Sequence, residues 1–197
     1  MNTPKILRAI ATAALMVAVA VGCASKSEAE DTTLRVLYWN FQNGMWSDAP
    51  NGYNNFAAWV RRYDPDVCIW CEAQTIYKPY TNEACAPEER YLVENWDKLA
   101  AKYGHTYWAI GGHRDNYPQV ITSKLPIEVV NQIVGEEPDS VVTHGAGHFR
   151  VEFNGKKVNI VTLHTWPQKY AYRAKDKEAS AAENGGDKHR LKEMEYI

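Results

Sequence analysis

Asp64-Pro65-Asp66-Val67-Cys68-Ile69-Trp70-Cys71-Glu72 decides how this chain is read. Its β-branched and aromatic residues read as a strand, and the run stops on a carboxylate. Two further segments end in the same manner. Leu34-Arg35-Val36-Leu37-Tyr38-Trp39-Asn40 closes on an amide, and Val158-Asn159-Ile160-Val161-Thr162-Leu163-His164 closes on an imidazole. Singly, such residues are ordinary: an Asn after a strand turns the chain, a Glu there is a solvated charge or starts a helix, and a His is a half-buried surface group. Together they suit one chemistry. An oxygen-liking cation such as Mg²⁺ takes one or two carboxylate or amide oxygens and keeps its other sites for water and phosphate. An imidazole placed opposite can serve the phosphate or the departing oxygen.

In that order and with those flanks, the segments resemble the endonuclease/exonuclease/phosphatase superfamily. Its opening strand closes on "WN", here Trp39-Asn40. Its "DPDIVCLQE" motif is similar to residues 64–72, and its "GVAILSKYPI" strand to Gln119-Val120-Ile121-Thr122-Ser123-Lys124-Leu125-Pro126-Ile127. A strand closing on "THL" or "LHS" is matched by Thr162-Leu163-His164-Thr165. The resemblance runs over residues 34–166. It implies an α+β fold, a four-layer α/β/β/α sandwich, incomplete at the C-terminus. It also implies Mg²⁺, with Mn²⁺ as a substitute, and a phosphoester substrate: nucleic acid, phospholipid, or sugar or inositol phosphate. Residue by residue, it implies that Glu72 ligates the metal, that Asn40 holds a phosphate oxygen and supports the metal shell, and that His164 hydrogen-bonds the phosphate and helps the departing oxygen. Two family motifs are absent from the chain: the "GDFN" strand end, which orients the attacking water, and the "SDH" segment, which supplies the base. A domain of this type needs roughly 250 residues. Residues 33–197 are therefore expected to be part of such a domain, with the final run Arg190-Leu191-Lys192-Glu193-Met194-Glu195-Tyr196-Ile197 a helix without a stop signal, and the chain by itself is expected to be inactive.

Residues 1–22 read as a signal peptide, with Lys5 and Arg8 before an apolar run of about 13 residues, too short to span a bilayer. Ala20-Val21-Gly22-Cys23 resembles the lipobox of bacterial lipoproteins, which implies acylation of Cys23 and a membrane anchor in the cell envelope; an ordinary secretory signal cleaved nearby is the alternative. Residues 23–32 read as a polar tether. Of the other cysteines, Cys68 and Cys71 lie three apart in a strand and point to opposite faces, and no second ligand pair follows, against a zinc site. Cys85 could pair with Cys71 in an oxidising compartment.

Phe56, Trp59, Val60 and Tyr63 recur at helical spacing, which predicts a helix over 54–63 ended by Pro65. Leu92, Trp96, Leu99 and Tyr103 predict a second, opened by Pro87-Glu88-Glu89 and closed by Gly104. Strands are predicted over 105–110, 119–122, 128–134, 147–153 and 157–164, the last two joined by a tight Asn154-Gly155 hairpin. Helices first and then closely spaced strands suit two packed sheets with helices outside. The charged stretch 173–192 reads as a solvated face.

Aromatic residues follow the motif strands. Trp39 and Trp70 read as core, whereas Trp46, Tyr77, Trp166 and Tyr170 are candidates to line a substrate cleft. Arg114, with His113 in a glycine-rich loop, could reach phosphate, and His148, near His144, could join His164. The formal net charge of −2, with no basic stripe, argues against a strong nonspecific nucleic-acid binder. No obligate protein partner is implied. The competing class is a non-catalytic surface lipoprotein that uses the same sandwich to bind glycan, lipid or protein.

Overall fold

The computed structural model describes residues 33–78, 80–114, 117–134, 141–166, 175–184 and 186–197. Cys23, the leader, the tether and Tyr170 lie outside them. Among the described residues no helix is long and apolar enough to cross a membrane.

The fold is α+β, with two sheets. The first has the order β1-β2-β4-β3, from β1 (Val36–Asn40), β2 (Val67–Cys71), β4 (Val120–Ser123) and β3 (Tyr107–Ile110). β1 and β2 run parallel and the other pairs antiparallel. The second is an antiparallel meander of β5 (Glu128–Ile133), β6 (Ala146–Phe153) and β7 (Lys156–Leu163). The turn between β6 and β7 has φ of 50° at Asn154 and 70° at Gly155, the pair of positive values that a type I′ hairpin requires. The remaining elements are α1 (Gln42–Met45), α2 (Asn54–Tyr63), α3 (Trp96–Lys102), α4 (Lys177–Asn184) and α5 (Gly186–Tyr196).

β2 is buried at every position, because both of its faces are covered. Cys68 and Trp70 face an aromatic cluster with Phe41, Phe56, Trp96 and Tyr103, built on α2 and α3. Val67 and Ile69 face the other way and meet Ile121, Phe149, Val151 and Ile160, so residues of the two sheets share one apolar cluster. On the second sheet, Val129 and Val161 are exposed.

Local polar contacts set the ends of several elements. Asp48, buried, accepts the Phe56 N–H at 2.8 Å and the Asn55 amide at 3.0 Å, capping α2 from six residues upstream of its first residue, roughly where a side-chain cap works at shorter range. The helix expected from Pro87 to Gly104 is broken into 3₁₀ turns at Pro87–Glu89 and Val93–Asn95 before α3. Leu92 causes the break: it is fully buried with φ of 91°, so it drives into the core at an angle no helix permits. The expected link between Cys71 and Cys85 is not made, and Cys68, Cys71 and Cys85 are all free thiols. Cys71 lies on the inter-sheet side, 3.2 Å from the Tyr38 hydroxyl and 3.8 Å from the Leu163 carbonyl. Burial pushes its thiol up, as it does that of Cys68, which keeps both protonated and unreactive.

Candidate active site

Parallel pairing brings two of the motif ends together. Asn40 is in register with Cys71, so the residue after β2 emerges beside the last residue of β1. That residue is Glu72. Its φ of 56° turns the chain back on itself, and its carboxylate Oε1 accepts the Asn40 Nδ2–H at 3.1 Å. Antiparallel pairing of Leu163 with Ala146 ends β7 at the same edge. His164 follows, and its Nε2 lies 4.0 Å from the same Oε1. Amide, carboxylate and imidazole thus converge from three strands of two sheets. The Glu72 and His164 side chains are each 19% exposed, enough for a small ligand to reach them while most of the surrounding water is excluded.

α1 holds Glu72 in place. Residues Gln42, Asn43, Gly44 and Met45 all have positive φ, a single left-handed turn. Such a turn costs roughly 1–2 kcal/mol at each residue other than glycine. Several bonds offset the cost. The Asn43 N–H donates to Glu72 Oε2 at 2.9 Å, and the Gly44 N–H donates to the Glu72 carbonyl at 2.7 Å. The buried Asn43 side chain accepts the Ile76 and Tyr77 N–H groups at 2.6 and 3.0 Å, and donates to the Tyr77 carbonyl at 2.9 Å. A glycine is needed at 44, since a Cβ there would stand 2.6 Å from backbone atoms of Gln74 and Thr75.

On the other side lies an aromatic wall. The His144 ring stacks on His164 with centroids 4.5 Å apart and an interplanar angle of 25°. Tyr117 presents its edge to both rings, and its carbonyl lies 3.5 Å from His164 Nδ1. Burial, then a hydrogen bond with Tyr77, then the Glu72 charge push the Tyr117 phenol up, so it stays a neutral donor. The phenol of Tyr38, bonded to the Cys71 thiol at 3.2 Å, is pushed up to about 12 by burial and by that contact.

Among the residues expected at a site, Asn40, Glu72 and His164 meet, and Tyr77 stands at their margin through its ring contact with Tyr117. Four others are directed elsewhere. Arg114 is ion-paired with Glu94. His148 lies on the opposite face of β6 from Phe149 and Val151, bonded to Asn159 Oδ1 at 3.0 Å, because strand alternation turns it away from the apolar cluster. Trp166 stacks on His189 of α5 at 4.5 Å and so packs a helix rather than lining a cleft. Trp46 packs against Tyr80 in a tilted pair with centroids 5.4 Å apart. Sequence reasoning missed Asn43, Tyr117 and the stacking role of His144. The Asn43-Gly44 dipeptide was a visible signal, since both residue types tolerate left-handed backbone; nothing local marked Tyr117.

The donor set admits a hard cation of one kind. Among the described residues, no group of three or more His, Cys, Asp or Glu side chains is placed to hold a metal by itself. What is present is one carboxylate with an amide beside it. That suits a Mg²⁺-like ion, which binds through one or two carboxylates and keeps waters and phosphate in its shell, and does not suit a closed tetrahedral zinc site.

No protein-family model matches the chain, and no curated protein matches it. Solved structures do resemble it. A humanized D. rerio TDP2 carrying 14 mutations shares 16% identity at a TM-score of 0.46, over 71% of this chain and 53% of that one. An endonuclease/exonuclease/phosphatase family protein from Leptotrichia buccalis shares 10% identity at a TM-score of 0.46, over 68% and 54%. One from Bacteroides thetaiotaomicron shares 17% identity at a TM-score of 0.40, over 83% and 60%. The chain thus spans about half the length of the first two and 60% of the third.

Proposed function

We propose that this protein is a divalent-metal phosphoesterase of the endonuclease/exonuclease/phosphatase type, with the phosphate received between Asn40, Glu72 and His164. The observation that carries the reading is the meeting of three motif-terminal side chains, from strands of two different sheets, around one carboxylate oxygen: 3.1 Å to the Asn40 amide and 4.0 Å to the His164 imidazole. A structural ion pair would need only two of them.

Glu72 would hold Mg²⁺ or Mn²⁺, which supplies charge stabilisation at the phosphoryl oxygen when bound. The other roles belong to the chain itself. The Asn43 N–H fixes one Glu72 oxygen, and the second lies between the Asn40 amide and the His164 imidazole. Asn40 Nδ2 has a second N–H beside the one it gives Glu72, suited to a phosphate oxygen. His164 Nε2 points into the same space, where it can donate to the phosphate or to the departing oxygen. The neutral Tyr117 edge excludes water from the far side of the imidazole. Residues 1–197 contain neither the water-orienting Asp-x-Asn nor the Ser-Asp-His of the family, so we assign this chain the metal- and phosphate-holding half of the chemistry and expect little turnover from it alone. Acylation at Cys23 would hold the protein at a bacterial membrane surface. With a net charge of −2, a single phosphoester on a small molecule or a lipid headgroup suits it better than a long nucleic acid.

The test is calorimetric titration of the full chain with Mn²⁺, with inorganic phosphate, and with both. The reading expects phosphate to bind at least about tenfold more tightly with Mn²⁺ present, and chelator to abolish the gain. Phosphate affinity indifferent to Mn²⁺ would overturn it. Inositol phosphate, a short DNA oligonucleotide and phospholipid vesicles, compared under the same conditions, would rank the substrate classes.

A further inference from the structure

Helix α5 brings a carboxylate into the protein interior. Glu193 is fully buried. Its Oε1 accepts the Thr143 N–H at 2.8 Å and its Oε2 accepts the Trp166 N–H at 2.8 Å. Thr143 immediately precedes His144, and Trp166 lies two residues after His164. One carboxylate therefore grips both segments that carry the stacked imidazoles. The same helix holds Trp166 twice more: Arg190 donates to its carbonyl at 3.1 Å, and the His189 ring lies on its indole.

The position of this grip is informative. The β6–β7 ladder ends at the Ala146–Leu163 pair, so strand pairing no longer fixes the distance between the chains beyond it. His144 and His164 both lie beyond it. Apolar burial does not explain the docking of α5 either, since Leu191 and Met194 are exposed at 60% and 53%. A carboxylate withdrawn from water requires donors on its oxygens, and here they are the two backbone N–H groups that flank the histidines.

We infer that Glu193 is a positioning residue: it replaces the missing rungs of the β6–β7 ladder, sets the stacking of His144 on His164, and so makes helix α5 part of the phosphate site. The assignment rests on the proposed function for its phosphate consequence, while the geometric claim stands apart from it. The His144 carbonyl is also held by the His113 N–H and the Gln119 amide, each at 3.1 Å, so loss of Glu193 loosens this arrangement rather than releasing it.

The experiment is NMR of isotope-labelled histidine rings in the full chain across pH, with phosphate titration in the presence of Mn²⁺-free Mg²⁺. Glu193→Gln keeps the side-chain volume but sets an NH₂ donor against a backbone N–H. The ring signals of His144 and His164 are expected to move, while those of His105, buried beside the first sheet, stay in place and report an intact fold. Phosphate affinity should fall about tenfold, as misplacement of a binding group by a fraction of an ångström does. Unchanged His144 and His164 signals in the folded variant would overturn the inference. If Glu193→Gln does not fold, Arg190→Ala carries the test: it removes the contact with the Trp166 carbonyl, and a shift at His164 without one at His105 supports the inference, whereas an unmoved His164 overturns it. A wild-type chain that binds no phosphate would sink the proposed function and leave the ring measurements to decide the role of Glu193.

Discussion

Asn40 and Glu72 are 32 positions apart in sequence, yet the amide nitrogen of one lies 3.1 Å from a carboxylate oxygen of the other. The contact follows from parallel pairing of β1 with β2 in a register that sets Asn40 beside Cys71. It also predicts what a second acid would do. Asn40→Asp puts two carboxylates within about 3 Å, where like charges repel. Without metal, the variant should fall below the wild type by several degrees more at pH 7 than at pH 4.5. Mn²⁺ should restore the loss and bind more tightly than to the wild type, because a Mg²⁺-like ion accepts a second carboxylate readily. Thermal melts with and without Mn²⁺ at the two pH values measure both effects; a metal-independent melt would count against a cation site here.

Asn43 supports the site from below through its side chain. Its three side-chain bonds, to Ile76 N, Tyr77 N and Tyr77 O, add to the Gly44 N–H bond with the Glu72 carbonyl in holding the left-handed turn. Asn43→Ala should cost about 2–4 kcal/mol, since it orphans buried backbone groups as well as removing bonds. Asn43→Asp keeps both acceptor bonds and loses only the one to the Tyr77 carbonyl, so it should cost less. Chemical denaturation of the two variants against the wild type checks the order; equal losses would show that the side-chain carbonyl is not what holds the turn.

How much of this was legible in the sequence divides along physical lines. The strands and the helix over 54–63 follow from period and punctuation, which act within a few residues, and the structure has them within two residues of the expected bounds. The Asn154-Gly155 turn was equally local. The ends of Asn40, Glu72 and His164 could be named because each sits where a strand stops, but their meeting depends on register and on two sheets packing, which no single segment encodes. Leu92 broke its helix because a buried pocket overrode local spacing. The structure directs Arg114, His148 and Trp166 to other partners, because proximity in sequence to a motif says nothing about the face on which a side chain emerges. Glu193 lay in the final run 190–197, which read only as a helix without a stop signal, and only the tertiary structure supplies the two N–H groups that bury it.

His105 is buried between two fixed partners, Thr122 Oγ1 at 2.9 Å and the Pro65 carbonyl at 2.8 Å. Burial pulls its pKa below the ordinary value of about 6.5. The unfolded chain therefore takes up a proton at a pH where the folded protein does not. The stability that the neutral ring contributes is complete above about pH 6.5 and is lost as pH falls from there through the folded value, with a slope of at most ~1.4 kcal/mol per pH unit. Denaturation midpoints between pH 7.5 and 5 should decline accordingly, and His105→Asn, though less stable throughout, should decline more gently. A parallel decline in the two proteins would assign the acid sensitivity to another group.

β1 is bonded only to β2 in the order of the first sheet, so among the described residues its other edge carries no strand. At this edge Val36 and Tyr38 are 50% and 59% exposed. An open edge flanked by exposed apolar side chains invites pairing with a second chain, and edge lysines are a common protection against it. Arg35 stands at the start of the strand, but it lies near Asp64, and Lys124 is engaged by Asp64 and Asp66, so these charges are partly neutralised. The full chain should therefore self-associate as its concentration rises, through β1. Val36→Lys should suppress that association, because its side chain points to solvent and a charge repeated across a β1–β1 pair is repulsive. The same substitution should leave the melting temperature within about two degrees, as exposed replacements do. Light scattering across a concentration series separates the possibilities: association that persists unchanged in Val36→Lys would move the sticky surface to the second sheet, where Val129→Lys is the corresponding variant.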